Sequence, residues 1–214
     1  EKSNVSRRIL SQIENGERRL FDEADVGVVT TEHARNVLLK KYDIDPEKIY
    51  VIPNYVDVNL FYPRKQVHAM SDSLRILFVG RLHPQKNLAN LVEAIGILKN
   101  QACIPTELVI IGTGPLEETL KRLSVRLGIS VTFLGNMSHD RLPGEMQKSD
   151  IFVLPSFYEG HPKALLEAMS SGLPCVGTNV RGIREEIKHG ETGYLCGTES
   201  EEIAEGIADL LESE

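Results

Sequence analysis

The chain has 214 residues, of which 41% are hydrophobic and 26% charged, and a formal net charge of −7. That is the make-up of a soluble globular protein, long enough for one large domain or one domain plus part of another. Apolar runs such as "LVII" and "IFVL" are far too short to span a bilayer, no charged-then-apolar leader precedes them, and no basic stripe interleaved with aromatics offers a nucleic-acid surface.

In chain order, a helix carrying Val5, Ile9 and Ile13 leads to a strand in "DVGVVT" (25–30). A second helix runs from Glu32 toward Tyr42, and a second strand lies in "KIYVIPN" (48–54). Two strands and two helices cannot bury an independent core. Residues 1–52 are therefore expected to be the tail of a preceding domain, and residues 53–73, punctuated by Pro53 and Pro63, a linker.

From residue 74 the pattern changes. Short apolar runs recur at "RILFVG" (75–80), "TELVIIG" (106–112), "VTFLG" (131–135), "IFVLP" (151–155) and "PCVGT" (174–178). They are continuously apolar, as strands covered on both faces are. Between them Leu88, Leu91, Val92, Ile95 and Leu98 follow helical spacing, with Asn87 placed as cap. Leu116, Leu120, Leu123 and Leu127 do the same after Pro115, with Gly128 as a stop. A last helix over 199–212 presents Ile203, Ile207 and Leu210. The alternation predicts an α/β fold: a doubly wound, parallel, Rossmann-like sheet over 74–214.

In such sheets ligands bind where strands end and helices begin. In "VGRLHPQKN", Gly80 ends a strand and Arg81 and Lys86 flank Pro84 at a helix start. They form an anion site suited to a diphosphate, or else a pair of solvated basic residues. "IGTGPLEE" lacks the third glycine of a dinucleotide fingerprint and the Gly-Lys-Ser/Thr of a P-loop, leaving a tight turn that lets backbone approach closely. In "LGNMSHDRL", Ser138 can cap a short or broken helix, and the backbone at the strand end can meet a flat ring. In "SFYEGHPKALLEAMSSGLPCVG" (156–177), Pro162 suits a first helical position, and Gly172 with Pro174 ends the helix. Glu159 precedes that helix and Glu167 lies in its second turn, so both carboxylates address one mouth. Paired acids of this kind suit the vicinal hydroxyls of a sugar; the alternative is that Glu159 favours the helix dipole and Glu167 pairs with Lys163.

Cations for phosphates, acids for hydroxyls and backbone for a base are what a sugar nucleotide requires. "VGRL…K", "IGTGP", "FLG", "SDIFVLPS…EG" and "LLEAMSSGLPCVGT" resemble, in this order, the retaining glycosyltransferases of the group 1 family, family four, over nearly the whole chain. That resemblance implies the GT-B fold, in which two Rossmann-like domains face each other across the active site. By the same resemblance 1–52 is the end of the acceptor-side domain, 53–73 the crossover linker and 74–214 the donor-binding domain.

Position by position, Arg81 and Lys86 resemble the pair holding the donor diphosphate, Glu159 the contact to the transferred sugar and Glu167 that to the ribose. Backbone amides of His161, Lys163 and Ala164 would approach sugar and phosphate, with Gly80, Gly160 and Leu165 beside them in the same loops and helix start. Asn136 and Met137 would frame the base. Pro162 departs from the family, which often has glycine there, and supplies no N–H. The resemblance implies a UDP-, GDP- or ADP-linked sugar as substrate, with no cofactor and no metal. It leaves the acceptor (glycan, lipid or small molecule) and any peripheral membrane contact to a domain this chain lacks, so the chain alone is expected not to transfer sugar. An epimerase of the same fold and a non-catalytic nucleotide-sugar-binding module are the alternatives. Cys103, Cys175 and Cys196 are an odd count without metal-like spacing, expected as free thiols in the cytoplasm; a reactive Cys175 would need an activating neighbour that the sequence does not place beside it.

Overall fold

The apolar runs become strands in the computed structural model, which describes residues 2–64, 73–102 and 105–212. Two compact units result, 1–54 and 55–214. The first holds helix α1 (Lys2–Glu23), strand β1 (Gly27–Val29), helix α2 (Glu32–Tyr42) and strand β2 (Ile49–Val51), with β1 and β2 parallel. Thr31 starts α2 by accepting a hydrogen bond from the Ala34 N–H at 3.1 Å. Val28 and Tyr50 on the two strands are more than half exposed, and so is Ile13 on α1. The side chains of Val5 and Ile9, and Cys103, fall outside what is described.

The second unit is a six-stranded parallel sheet ordered β5-β4-β3-β6-β7-β8. Its strands are β3 (Leu74–Val79), β4 (Thr106–Ile111), β5 (Ser130–Gly135), β6 (Ile151–Leu154), β7 (Cys175–Thr178) and β8 (Tyr194–Cys196). Numbered within the unit, the order is 3-2-1-4-5-6, the doubly wound Rossmann arrangement. The helices are α3 (Leu88–Ala102), α4 (Glu117–Leu127), α5 (Leu142–Lys148), α6 (Lys163–Ser170), the single turn α7 (Arg181–Arg184) and α8 (Ser200–Glu212). α3 packs on α8 and α4, while α6 lies against β6 and β7. β6 and β7 are buried at every residue, as continuously apolar central strands must be. Among the described residues no helix is long and apolar enough to cross a membrane.

Several local expectations are corrected. The sheet has a sixth strand, β8, which the apolar pattern does not reveal because its three residues are half-buried at the sheet edge. Asn87 does not cap α3 with its side chain. It is a left-handed residue (φ 53°), and its buried amide donates to the Thr198 carbonyl at 2.7 Å, as Asn90 does at 2.8 Å. Pro162 occupies the N-cap position and the helix begins at Lys163. At the other end of α6, Gly172 (φ 68°) closes a Schellman turn: Leu173 N–H bonds Ala168 O at 3.1 Å and Gly172 N–H bonds Met169 O at 3.0 Å.

The stretch read as linker is divided. Residues 55–64 join the second unit, and 65–72 lie outside the described residues. Phe61 is fully buried in that unit's core, and full burial of such a ring stabilises by roughly 1.5–3 kcal/mol. Its carbonyl accepts from Ser170 Oγ at 2.7 Å.

Candidate functional site

β3 and β6 lie side by side at the centre of the sheet, with Ile76 opposite Ile151 and Leu77 opposite Phe152. The chain leaves them toward opposite edges of the sheet, so the crevice between the loops that follow is the topological switch point. The loop after β3 runs through Gly80 and Arg81 into a 3-10 turn, Pro84–Lys86. The loop after β6 runs from Pro155 to Pro162 and ends at α6. Phe157 N–H donates to Gln85 O at 2.9 Å, and Gln85 Nε2 donates to Tyr158 O at 2.9 Å, tying the two loops together.

The glycines of "IGTG" serve this crevice indirectly. A Cβ on Gly112 would lie 2.0 Å from the Gly80 carbonyl oxygen, and one on Gly114 would lie 2.4 Å from that of Leu82. Leu82 N–H donates to Thr113 O at 3.0 Å. The close approach expected of this turn is therefore an approach of protein to protein. It holds the Arg81 loop in place. Gly182, in α7, does the same for the second loop: its Cβ would lie 2.3 Å from Gly160 O and 2.5 Å from Glu159 O.

Lys86 and Glu159 meet. Lys86 Nζ is 2.5 Å from Glu159 Oε1, and the two side chains are only 15% and 8% exposed. Ser156 Oγ donates to the same oxygen at 2.6 Å, and Thr178 Oγ1 at the end of β7 holds the Ser156 carbonyl at 2.5 Å. A cation assigned to phosphate and an acid assigned to sugar hydroxyls thus form one charge-assisted contact. Arg81, in the same loop as Lys86, is exposed and makes no ion pair among the described residues.

Glu167 is buried in the second turn of α6. His139 Nε2 lies 2.7 Å from its Oε1, and Lys163 Nζ lies 3.7 Å from the same oxygen. The i, i+4 pairing weighed as the plainer alternative for Glu167 is therefore present, with a histidine added. Both acids are nearly buried, and each arrives with its own cationic or N–H partner.

At the start of α6, Leu165 N–H bonds Pro162 O at 3.1 Å and the Leu165 side chain is fully buried in the core. Among the described residues the N–H groups of Lys163 and Ala164 have no backbone acceptor, as first-turn amides of a helix do not. His161 Nε2 is 3.1 Å from Glu186 Oε1 just after α7. Asn136 Oδ1 accepts from Thr113 Oγ1 at 3.2 Å, and Met137 packs partly buried against the core.

Sequence reasoning missed Ser156, Thr178, Gly182 and His139. His139 and Ser156 carried a usable signal, their place in loops after strand ends; Thr178 and Gly182 support the site from behind. Among the described residues no group of three or more His, Cys, Asp or Glu side chains is placed to hold a metal ion. Cys175 is fully buried and donates to Leu173 O at 3.1 Å, and burial pushes its thiol far above the ordinary range. Burial, aided by the Glu202 charge, pushes Cys196 up to about 12. Neither is an activated nucleophile.

The family model for glycosyl transferases group 1 matches residues 63–214, and that for glycosyltransferase family 4 matches residues 3–60. The chain belongs to the group 1 glycosyl transferases. It is 36% identical over 173 residues to the UDP-Gal:alpha-D-GlcNAc-diphosphoundecaprenol alpha-1,3-galactosyltransferase of Escherichia coli, covering 75% of this chain and 44% of that protein. It is 30% identical over 215 residues to the D-inositol 3-phosphate glycosyltransferase of Corynebacterium glutamicum (strain R), covering 92% and 51%. The chain thus spans about half the length of these relatives. Among solved structures, the sucrose-phosphate synthase of Thermosynechococcus elongatus superposes with a TM-score of 0.76 at 26% identity, over 94% of this chain and 53% of that one. The parallel sheet with helices on both faces is that of the GT-B glycosyltransferases.

Proposed function

We propose that this group 1 transferase chain carries the donor site of an enzyme that moves a hexosyl or N-acetylhexosaminyl group from a nucleotide sugar to an acceptor with retention. The supporting observation is the Lys86–Glu159 contact at the switch point, which puts a phosphate-binding cation and a hydroxyl-binding acid within one hydrogen bond of each other. In the donor, the diphosphate and the transferred sugar are likewise joined by a single glycosidic oxygen.

Arg81 and Lys86 hold the diphosphate, helped by the N–H groups of His161, Lys163 and Ala164 at the start of α6. As the glycosidic bond breaks, negative charge collects on the departing phosphate oxygen, and these donors stabilise it. Glu159 orients the transferred sugar, Glu167 the ribose, and the backbone at Asn136 and Met137 frames the base. The UDP-Gal in the name of the E. coli relative favours a UDP sugar. Residues 1–52 belong, on this reading, to the acceptor-side domain. The rest of that domain would bind the glycan, lipid or small-molecule acceptor in the cytoplasm or at its membrane face.

The test is calorimetry with UDP, GDP and ADP on the chain and on Arg81→Ala and Lys86→Ala. Each substitution removes a charge-assisted hydrogen bond and is expected to weaken the best-bound diphosphate by about 1.5–3 kcal/mol. Unchanged affinity in both variants removes the assignment.

A further inference from the structure

The buried carboxylate of Glu167 has an unusual set of neighbours. Both groups that approach it, His139 Nε2 at 2.7 Å and Lys163 Nζ at 3.7 Å, converge on Oε1. A carboxylate oxygen accepts, so the proton of the His139 hydrogen bond sits on Nε2. No buried side-chain polar atom among the described residues lacks a partner. Oε2, for which no partner occurs among those residues, therefore reaches solvent. The carboxylate is held by one oxygen and offers the other.

His139 is itself held. Its ring lies 5.0 Å from that of Phe61, centroid to centroid, with the planes at 58°. Phe61 is immobilised in the core, with its carbonyl bonded by Ser170 of the same helix that carries Glu167. The imidazole is half exposed at 49%, whereas Glu167 is 4% exposed, so His139 covers the acid on the solvent side. Lys163, also half exposed, lies farther off and with its Nζ 5.8 Å from the Tyr55 ring centroid. Of the two neighbours only His139 combines hydrogen-bond distance with a locked ring.

We infer that His139 is a positioning residue for ribose recognition: its Nε2–H fixes the Glu167 carboxylate so that Oε2 faces the two hydroxyls of the bound nucleotide's ribose. The inference rests on the proposed donor site. A carboxylate freed to rotate about its last torsion would bind those hydroxyls less well, while phosphate contacts at Arg81 and Lys86 would be untouched.

The experiment compares binding of UDP with that of 2′,3′-dideoxy-UDP by calorimetry, in the unaltered chain and in two variants. His139→Phe keeps a ring against Phe61 but removes the N–H; His139→Gln keeps an N–H donor. The unaltered chain should prefer UDP by about tenfold or more, as a hydrogen bond to a charged group implies. His139→Phe should lose most of that preference at an unchanged melting temperature, His139→Gln should keep most of it, and affinity for the dideoxy nucleotide should be equal in all three. Should His139→Phe fail to fold, His139→Met, apolar and without a donor, carries the same expectation. Full preference in the Phe or Met variant, or equal loss in the Gln variant, overturns the role of His139 while leaving the donor site standing. No preference in the unaltered chain overturns the ribose assignment of Glu167 itself.

Discussion

Replacing Glu159 by glutamine isolates the charge in the Lys86–Glu159 contact. The amide oxygen still accepts from Ser156 and Lys86, and only the negative charge is lost. At 2.5 Å and an effective dielectric near 20, the pair attracts by about 7 kcal/mol before desolvation. Desolvation of two nearly buried ions takes back most of that, yet removing one partner of a buried pair still costs about 3–5 kcal/mol. The retained hydrogen bond and the 15% exposure of the lysine side chain reduce the cost, to about 2 kcal/mol. For a domain of this size that lowers the melting temperature by about 4–8 °C.

Ligand should reverse the sign of the effect. In the unaltered protein Lys86 must leave or share Glu159 to bind phosphate; in Glu159→Gln it is already free of that competition. Nucleoside diphosphate should therefore bind Glu159→Gln more tightly, by about threefold to tenfold and no more than the ~30-fold equivalent of 2 kcal/mol. Recognition of the intact nucleotide sugar should fall. Thermal unfolding with and without UDP, followed by calorimetry, measures both. An unchanged melting temperature, or a loss of UDP affinity matching that of Lys86→Ala, would refute the argument.

Gly112→Ala forces a Cβ to 2.0 Å from the Gly80 carbonyl oxygen at a residue with φ 129°, and should destabilise by about 3 kcal/mol or more while displacing the Arg81 loop; a melting temperature within 2 °C of the unaltered protein, by circular dichroism, would speak against it. Iodoacetamide at pH 8 should leave Cys175 and Cys196 unmodified in the folded protein, because burial keeps both as thiols, and should modify both in denaturant; peptide mass spectrometry reads this directly. Burial acts to raise the Glu145 carboxyl, but hydrogen bonds from Lys148 and Arg75 outweigh it and hold it below its ordinary value of 4.5. Its contribution to stability is therefore full above 4.5 and is lost as pH falls through the lower folded value, so the stability gap between Glu145→Gln and the unaltered chain, read by urea titration, should be constant near neutrality and close as pH falls below 4.5.

Much of the fold was legible because the central strands are short, continuous and apolar. "IFVL" and "PCVGT" could be placed within a residue of β6 and β7, whose residues are all buried. β8 was not legible: Tyr194, Leu195 and Cys196 form an edge strand covered only in part, so burial leaves no pattern to read. Asn87 shows the opposite failure, a residue with the chemistry of a cap whose amide goes instead to a carbonyl 111 residues away. Residues 55–64 look like a linker between Pro53 and Pro63, yet they contribute a fully buried phenylalanine.

Local spacing determined that Arg81 and Lys86 share one loop, that Glu159 precedes a helix and that Glu167 lies within it, because those relations depend only on helical and loop geometry over a few residues. Tertiary structure alone decided that Lys86 meets Glu159 across 73 residues and His139 meets Glu167 across 28. Those pairings follow from which strands lie side by side. Strand order is set by burying all the apolar runs in one sheet at once, a condition on the whole chain that no single stretch of it carries.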